Sequence, residues 1–193
     1  WNGIGNYPKN CGASRRRNYG EQQTRRRRDL HRDFAGQTKK DMKMNASGER
    51  ITILLADDDP DDRQLTKEAF AECHLVNQVH FVEDGEQLMD YLLRRGSYES
   101  MKGDPLPGLV LLDLNMPRKD GREALKEIKE HPDLRRIPIV VLTTSKAEED
   151  ILRTYDLGVN SYVTKPVTFQ SLVDTVKVLG KYWFEIVELP PAD

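Results

Sequence analysis

Asp113 closes an apolar run, Leu109-Val110-Leu111-Leu112, and opens the segment Asp113-Leu114-Asn115-Met116-Pro117. A second acidic group, Asp57-Asp58-Asp59, holds the same position after Ile51-Thr52-Ile53-Leu54-Leu55-Ala56. Two more apolar runs end in polar groups of other kinds: Ile139-Val140-Val141-Leu142 runs into Thr143, and Tyr162-Val163-Thr164 runs into Lys165-Pro166. Carboxylates, a hydroxyl and an ammonium at separate strand ends suit a metal and a phosphoryl group. Adjacent carboxylates repel unless a cation sits among them. Mg2+ is the natural choice, a hard ion held by a few carboxylates and backbone oxygens while it retains waters. Asp57, Asp58 and Asp113 can supply the charge, with a backbone carbonyl and waters filling the shell. Such an ion also lowers the repulsion that Asp113, as nucleophile, meets from an incoming phosphoryl group. Lys165 adds a point charge for one phosphoryl oxygen, and Thr143 can donate a hydrogen bond to another. Phosphoryl transfer needs mostly positioning and charge stabilisation, which this inventory provides.

Taken singly, each signal has a plainer reading. An Asp after an apolar run is more often a turn residue than a nucleophile, and residues 57–62 could be a solvated acidic turn. With Asp57, Asp59 and Asp61 at alternate positions and Glu68 in twelfth place, the segment superficially resembles a calcium loop. The sixth position is Asp62, where that loop needs Gly, and a strand precedes it, so calcium is not supported. The order of the four groups, each after its own strand, is what makes coincidence improbable. His31, His74, His80 and His131 show no ligand spacing, and no Walker-type phosphate loop occurs. Cys11 and Cys73 are too few for a disulfide framework and fit a reducing compartment, with Cys73 a small packed residue near a helix end.

These groups must be carried by regular elements. Strand-like runs alternate with amphipathic helical ones from Ile51 to Leu189. Leu65, Ala69 and Phe70 recur at helical spacing behind Asp61-Asp62, which suit a helix N-terminus. Val79-His80-Phe81-Val82 reads as the second strand; Leu88, Tyr91 and Leu92 mark a helix stopping near Gly96. Ala124, Leu125 and Ile128 mark a helix ending before Pro132. Ile151, Leu152 and Tyr155 define one closed by Gly158. Phe169, Leu172, Val173, Val176 and Leu179 form the last stripe. Residues 97–107, with Gly103, Pro105 and Pro107, read as a loop longer than usual. Five strands alternating with five helices predict an α/β fold with helices on both faces of a parallel sheet, whose strand C-termini share one ligand-binding rim.

The 193 residues carry a net charge of −2, an average that hides a division. Residues 1–50 hold 13 Lys and Arg against 5 Asp and Glu; residues 51–193 hold 17 against 27. The first segment lacks apolar periodicity, so the expected organisation is a basic, disordered arm over 1–47 and a folded domain with a C-terminal extension over 48–193. The arm could bind nucleic acid weakly through charge, but no groove-reading motif accompanies its arginines, which favours a solvated tail. It lacks the apolar core of a signal peptide, and no stretch approaches a membrane helix. A cytoplasmic protein is expected.

In combination and order these residues resemble the receiver domain of bacterial two-component response regulators, over residues 50–185. Ile53-Leu54-Leu55-Ala56-Asp57-Asp58-Asp59-Pro60 resembles the acidic entry motif, and Leu111-Leu112-Asp113-Leu114-Asn115-Met116-Pro117 with Asp120-Gly121 the phosphorylation motif. Leu142-Thr143-Thr144 and Tyr162-Val163-Thr164-Lys165-Pro166 resemble the remaining signatures. The resemblance implies a flavodoxin-like sheet of order 2-1-3-4-5 and a phosphoryl group taken by Asp113 from a phosphohistidine on a sensor kinase. It implies Mg2+ on the side chains of Asp58 and Asp113 and the carbonyl of Asn115, with Asp57 helping through water. It also implies a cis peptide between Lys165 and Pro166. On phosphorylation Thr143 would be drawn inward and Tyr162 would turn in behind it, remodelling the face built from residues 147–182. Asn115 and Ser145 occupy the positions that tune autodephosphorylation in the family.

The loop 97–107 and the ending Lys181-Tyr182-Trp183-Phe184 further resemble the small stand-alone regulators paired with phytochrome-type histidine kinases. No DNA-binding output module is expected after Leu189, so the signal would pass by contact with a downstream protein. A homodimer is expected to compete with a tail folded back on the sheet edge. An aspartyl-phosphate phosphatase is the alternative enzyme, but it needs an Asp acid/base where Asn115 stands, and Asn cannot exchange the proton.

Overall fold

The computed structural model describes residues 51–75 and 77–190. The basic arm expected over 1–47 lies outside the described residues. Five strands, β1 (Thr52–Ala56), β2 (Gln78–Val82), β3 (Leu109–Leu112), β4 (Ile139–Thr143) and β5 (Ser161–Thr164), alternate with α1 (Pro60–Glu72), α2 (Gly85–Leu92), α3 (Gly121–Glu130), α4 (Glu148–Asp156) and α5 (Phe169–Gly180). The strands form one parallel sheet in the order β2-β1-β3-β4-β5, the flavodoxin-like order expected.

Alternation along each strand divides the core in two. Ile53, Leu55, Leu109, Leu111 and Val140 point to a layer filled by Ala69 and Phe70 of α1 and Leu172, Val173, Val176 and Leu179 of α5. Leu54, Ala56, Val110, Leu112, Ile139 and Val141 point the other way, toward Leu88 and Leu92 of α2 and Ala124, Leu125 and Ile128 of α3. Both faces being covered explains why these strands are apolar throughout rather than alternating with polar residues.

The helical stripes differ from expectation at three points. Leu65 is 39% exposed while Thr66 is buried, because the inward set on α1 is Thr66, Ala69 and Phe70. On α4 Leu152 and Tyr155 face outward and Thr154 is the buried residue, its hydroxyl donating to the carbonyls of Asp150 and Ile151. Phe169, in the first turn of α5, is likewise largely exposed.

Residues 97–107 are not wholly irregular either: Gly96–Met101 form a 3-10 turn. Buried Arg94 ties this region down, donating to the carbonyls of Tyr91, Asp104 and Pro105. After α5 the chain continues in a wider π-helical turn, Lys181–Ile186, that buries Trp183 and Phe184 against the α1/α5 side. Cys73 packs there as expected. Among the described residues, no helix is long and apolar enough to cross a membrane.

Candidate functional site

The sheet register brings the acidic groups together. Ala56 pairs with Leu112, so the next residues, Asp57 and Asp113, emerge side by side where the strand order reverses, the point at which such sheets bind ligands. Backbone bonds hold both there: Asp57 N–H donates to Val82 O at 3.0 Å and Asp113 N–H to Ala56 O at 2.9 Å. One carboxylate oxygen each from Asp57, Asp58 and Asp113 lies within 4.8 Å of the others. Asp57 and Asp113 are buried and Asp58 is open to solvent.

Lys165 completes the cluster from β5. Thr143 pairs with Thr164, and Lys165 N–H donates to Thr143 O at 2.7 Å, which starts the side chain at the rim. Its Nζ lies 2.6 Å from Asp113 Oδ2, 2.7 Å from Asp57 Oδ2 and 2.8 Å from Asp62 Oδ2. The peptide that follows, to Pro166, is trans, not cis as the resemblance implied. With that geometry the four-carbon side chain still spans the distance to Asp113.

Burial pushes the Asp57 carboxyl up to about 6, and the Lys165 ammonium only partly opposes this. Burial also acts against charge on Lys165, but Asp113, Asp57 and Asp62 together outweigh it and hold the ammonium above the ordinary lysine range. Asp57 Oδ2 is fully buried and receives no aligned hydrogen bond, the ammonium beside it supplying charge without direction. A buried, under-satisfied oxygen among three hard donors fits a divalent cation of the oxygen-binding kind.

The expected residues are distributed unevenly. Asn115 follows on the loop after β3, its N–H donating to Asp113 Oδ1 at 3.1 Å. Thr143 is buried at the end of β4, and its Oγ1 accepts from Ser145 N–H at 3.4 Å. Tyr162 is partly buried, with its hydroxyl donating to Ser145 O at 3.0 Å, so the ring is already tied to the β4–α4 loop.

Three supporting groups carry no obvious sequence signal. Asp62 is the third partner of Lys165. Arg63 donates to the carbonyls of Asp57 and Asp58 at 2.7 and 2.9 Å, fixing the turn that presents them. Arg118 pairs with buried Asp84, clamping the β3–α3 loop to the start of α2. That loop is tight: a Cβ on Gly121 would stand 2.1 Å from Asp113 O, and one on Gly85 2.5 Å from Lys119 O. The Asp62–Lys165 and Asp84–Arg118 pairs join residues far apart in sequence, which is why periodicity could not find them.

The family model for the response regulator receiver domain matches residues 53–177. The chain belongs to the response regulator receiver family. It is 44% identical over 140 residues to the response regulator Rcp1 of Synechocystis, covering 72% of this chain and 93% of that protein. The crystal structure of the phosphorylated cyanobacterial phytochrome response regulator RcpA superposes with a TM-score of 0.68 at 43% identity, covering 73% of this chain and 99% of RcpA. The Mn2+-bound form of Rcp1 gives a TM-score of 0.66 at 43% identity, covering 72% of this chain and 99% of the other. The receiver is thus a signalling module of the two-component kind, similar to regulators associated with phytochromes, with an acidic rim suited to a metal.

Proposed function

We propose that Asp113 accepts a phosphoryl group from a phosphohistidine on a sensor histidine kinase of the phytochrome type, in a Mg2+-dependent step. The observation that carries this reading is the Lys165 ammonium 2.6 Å from Asp113 beside three carboxylates gathered within 4.8 Å.

An oxygen of Asp113 attacks phosphorus while the P–N bond of the donor breaks, its electron pair returning to the imidazole nitrogen. Asp113 becomes an acyl phosphate. Lys165 meets one phosphoryl oxygen with its positive charge, and the Thr143 hydroxyl donates to another. Mg2+, held by Asp58, Asp113 and the Asn115 carbonyl with Asp57 assisting through water, would neutralise phosphoryl charge. Attack of water on phosphorus later breaks the bond to Asp113 and restores the carboxylate, a hydrolysis that the site itself assists.

Thr143 and Tyr162 form the switch in this reading. The Thr143 hydroxyl already accepts from the Ser145 N–H, and the Tyr162 hydroxyl reaches Ser145 O. A displacement of Thr143 therefore reaches the β4–α4 loop in one step and alters the surface of residues 147–182, where a downstream protein or a second copy would dock. The likeness to Rcp1 and RcpA supports the kinase class, and a kinase charged from ATP would present its phosphohistidine in the cytoplasm.

The test is transfer from a radiolabelled, autophosphorylated phytochrome-type kinase. Label should pass to the wild-type chain and stay on the kinase when Asp113→Asn is offered. Equal labelling of both proteins would refute the assignment of Asp113.

A further inference from the structure

We propose that Asp62 is a positioning residue for phosphoryl transfer, fixing the Lys165 ammonium beside Asp113. The inference rests on Asp113 being the phosphoacceptor and adds a residue that the acidic cluster and the switch leave unused.

An ammonium has three N–H donors and a flexible four-carbon stem. Lys165 directly follows β5, at the sheet edge, and its side chain reaches Asp57 and Asp113 at the ends of β1 and β3. Nothing in such a stem fixes its tip. Three carboxylates surround it, at 2.6, 2.7 and 2.8 Å. Two of them, Asp57 and Asp113, belong to the group that a metal would claim, whereas Asp62 stands outside it. Asp62 is also the carboxylate toward which the ammonium makes an aligned hydrogen bond. Once Asp113 carries a phosphoryl group, Asp62 is the partner left to hold the ammonium in place.

Asp62 is itself well anchored. It lies in the first turn of α1, its N–H donating to the cap residue Asp59 at 3.4 Å, and the adjacent Arg63 holds the carbonyls of Asp57 and Asp58. The helix packs through buried Ala69 and Phe70. The Asp62 side chain is 36% exposed, so its ion pair contributes little to folding, and its geometry is what matters.

The experiment compares Asp62→Asn with Asp61→Asn, which removes the same charge from the same exposed helix turn without touching Lys165. Phosphorylation by acetyl phosphate would be followed at saturating Mg2+, with Mg2+ affinity measured separately in the absence of phosphodonor. The Lys165 side-chain ammonium resonance would be recorded in the metal-free proteins. Misplacing a reacting partner slows such steps strongly, so Asp62→Asn should be about tenfold slower than Asp61→Asn, with equal Mg2+ affinity. The ammonium signal should persist in wild type and Asp61→Asn and be lost to solvent exchange in Asp62→Asn.

Equal rates in the two variants, a loss explained by weaker Mg2+ binding, or an unchanged ammonium signal in Asp62→Asn would each overturn the proposal. A wild-type protein that accepts no phosphoryl group would instead overturn the reading of Asp113 itself.

Discussion

Arg122 grips Asp150 through both carboxylate oxygens, Nε to Oδ1 at 2.8 Å and Nη2 to Oδ2 at 2.7 Å, tying the first turn of α3 to α4. The same Asp150 accepts from the Ser145 hydroxyl at 2.7 Å, and Ser145 O receives the Tyr162 hydroxyl. One polar network therefore links the loop after Asp113, the loop after Thr143, and β5. Arg122, then Ser145, hold the Asp150 carboxyl below the usual carboxylate range.

Breaking this grip should loosen α4. The pair is largely shielded, with side chains 16% and 20% exposed, so Arg122→Ala should cost about 1 kcal/mol of stability at pH 7. The folded carboxyl titrates below its unfolded value of 3.8. The contribution is therefore complete above about pH 4 and fades as pH falls through the lower folded value. Urea denaturation of both proteins at pH 7 and pH 3 checks this: the difference should shrink at the lower pH.

Asp57 works in the opposite sense. Its carboxyl is raised to about 6 from 3.8 by burial, so the folded state binds the extra proton between those values. Stability of the metal-free protein should then fall as pH rises from 4 through 6. Asp57→Asn removes the buried charge and should stabilise the metal-free fold at pH 8 by up to about 3 kcal/mol, while weakening metal binding. Thermal unfolding in EDTA at pH 4 and pH 8 should show a gain that is much larger at pH 8.

Metal binding should weaken on acidification for the same reason. A ligand that must be ionised releases its proton when metal binds. Because Asp57 takes up a proton near pH 6, Mn2+ or Mg2+ affinity should fall between pH 7.5 and 5, and calorimetry should detect proton release near pH 6. A flat affinity profile over that range would count against Asp57 as part of the metal site.

Lys165→Met should separate folding from chemistry. Removing the ammonium leaves Asp57, Asp62 and Asp113 without the cation that they share. Breaking a buried pair in this way costs about 3 kcal/mol. The metal-free variant should be destabilised by that order at pH 8, and added Mg2+ should restore more stability to it than to wild type. Phosphorylation should remain slow even with metal bound.

The sequence made the catalytic side of the fold legible because each functional group follows an apolar run, and parallel strands of matched length put their ends on one rim. Strand order was legible only through the resemblance, since periodicity carries no information about which strands pair. The helical faces misassigned at Leu65, Leu152 and Tyr155 share one cause: apolar residues of α1 and α4 face solvent while Thr66 and Thr154 turn inward, Thr154 with its hydroxyl donated to the carbonyls of Asp150 and Ile151. The partners of Lys165 beyond the motif, and the Asp84–Arg118 and Arg122–Asp150 pairs, depend on loops meeting in space. Only the folded structure brings them together.

Mass spectrometry of the intact protein after incubation with acetyl phosphate, with and without Mg2+, tests the central claim most directly. Wild type should gain a single phosphoryl adduct that requires Mg2+, and Asp113→Asn should gain none. An adduct on Asp113→Asn equal to that of wild type, or no adduct on wild type in any condition, would contradict the assignment of Asp113 as phosphoacceptor.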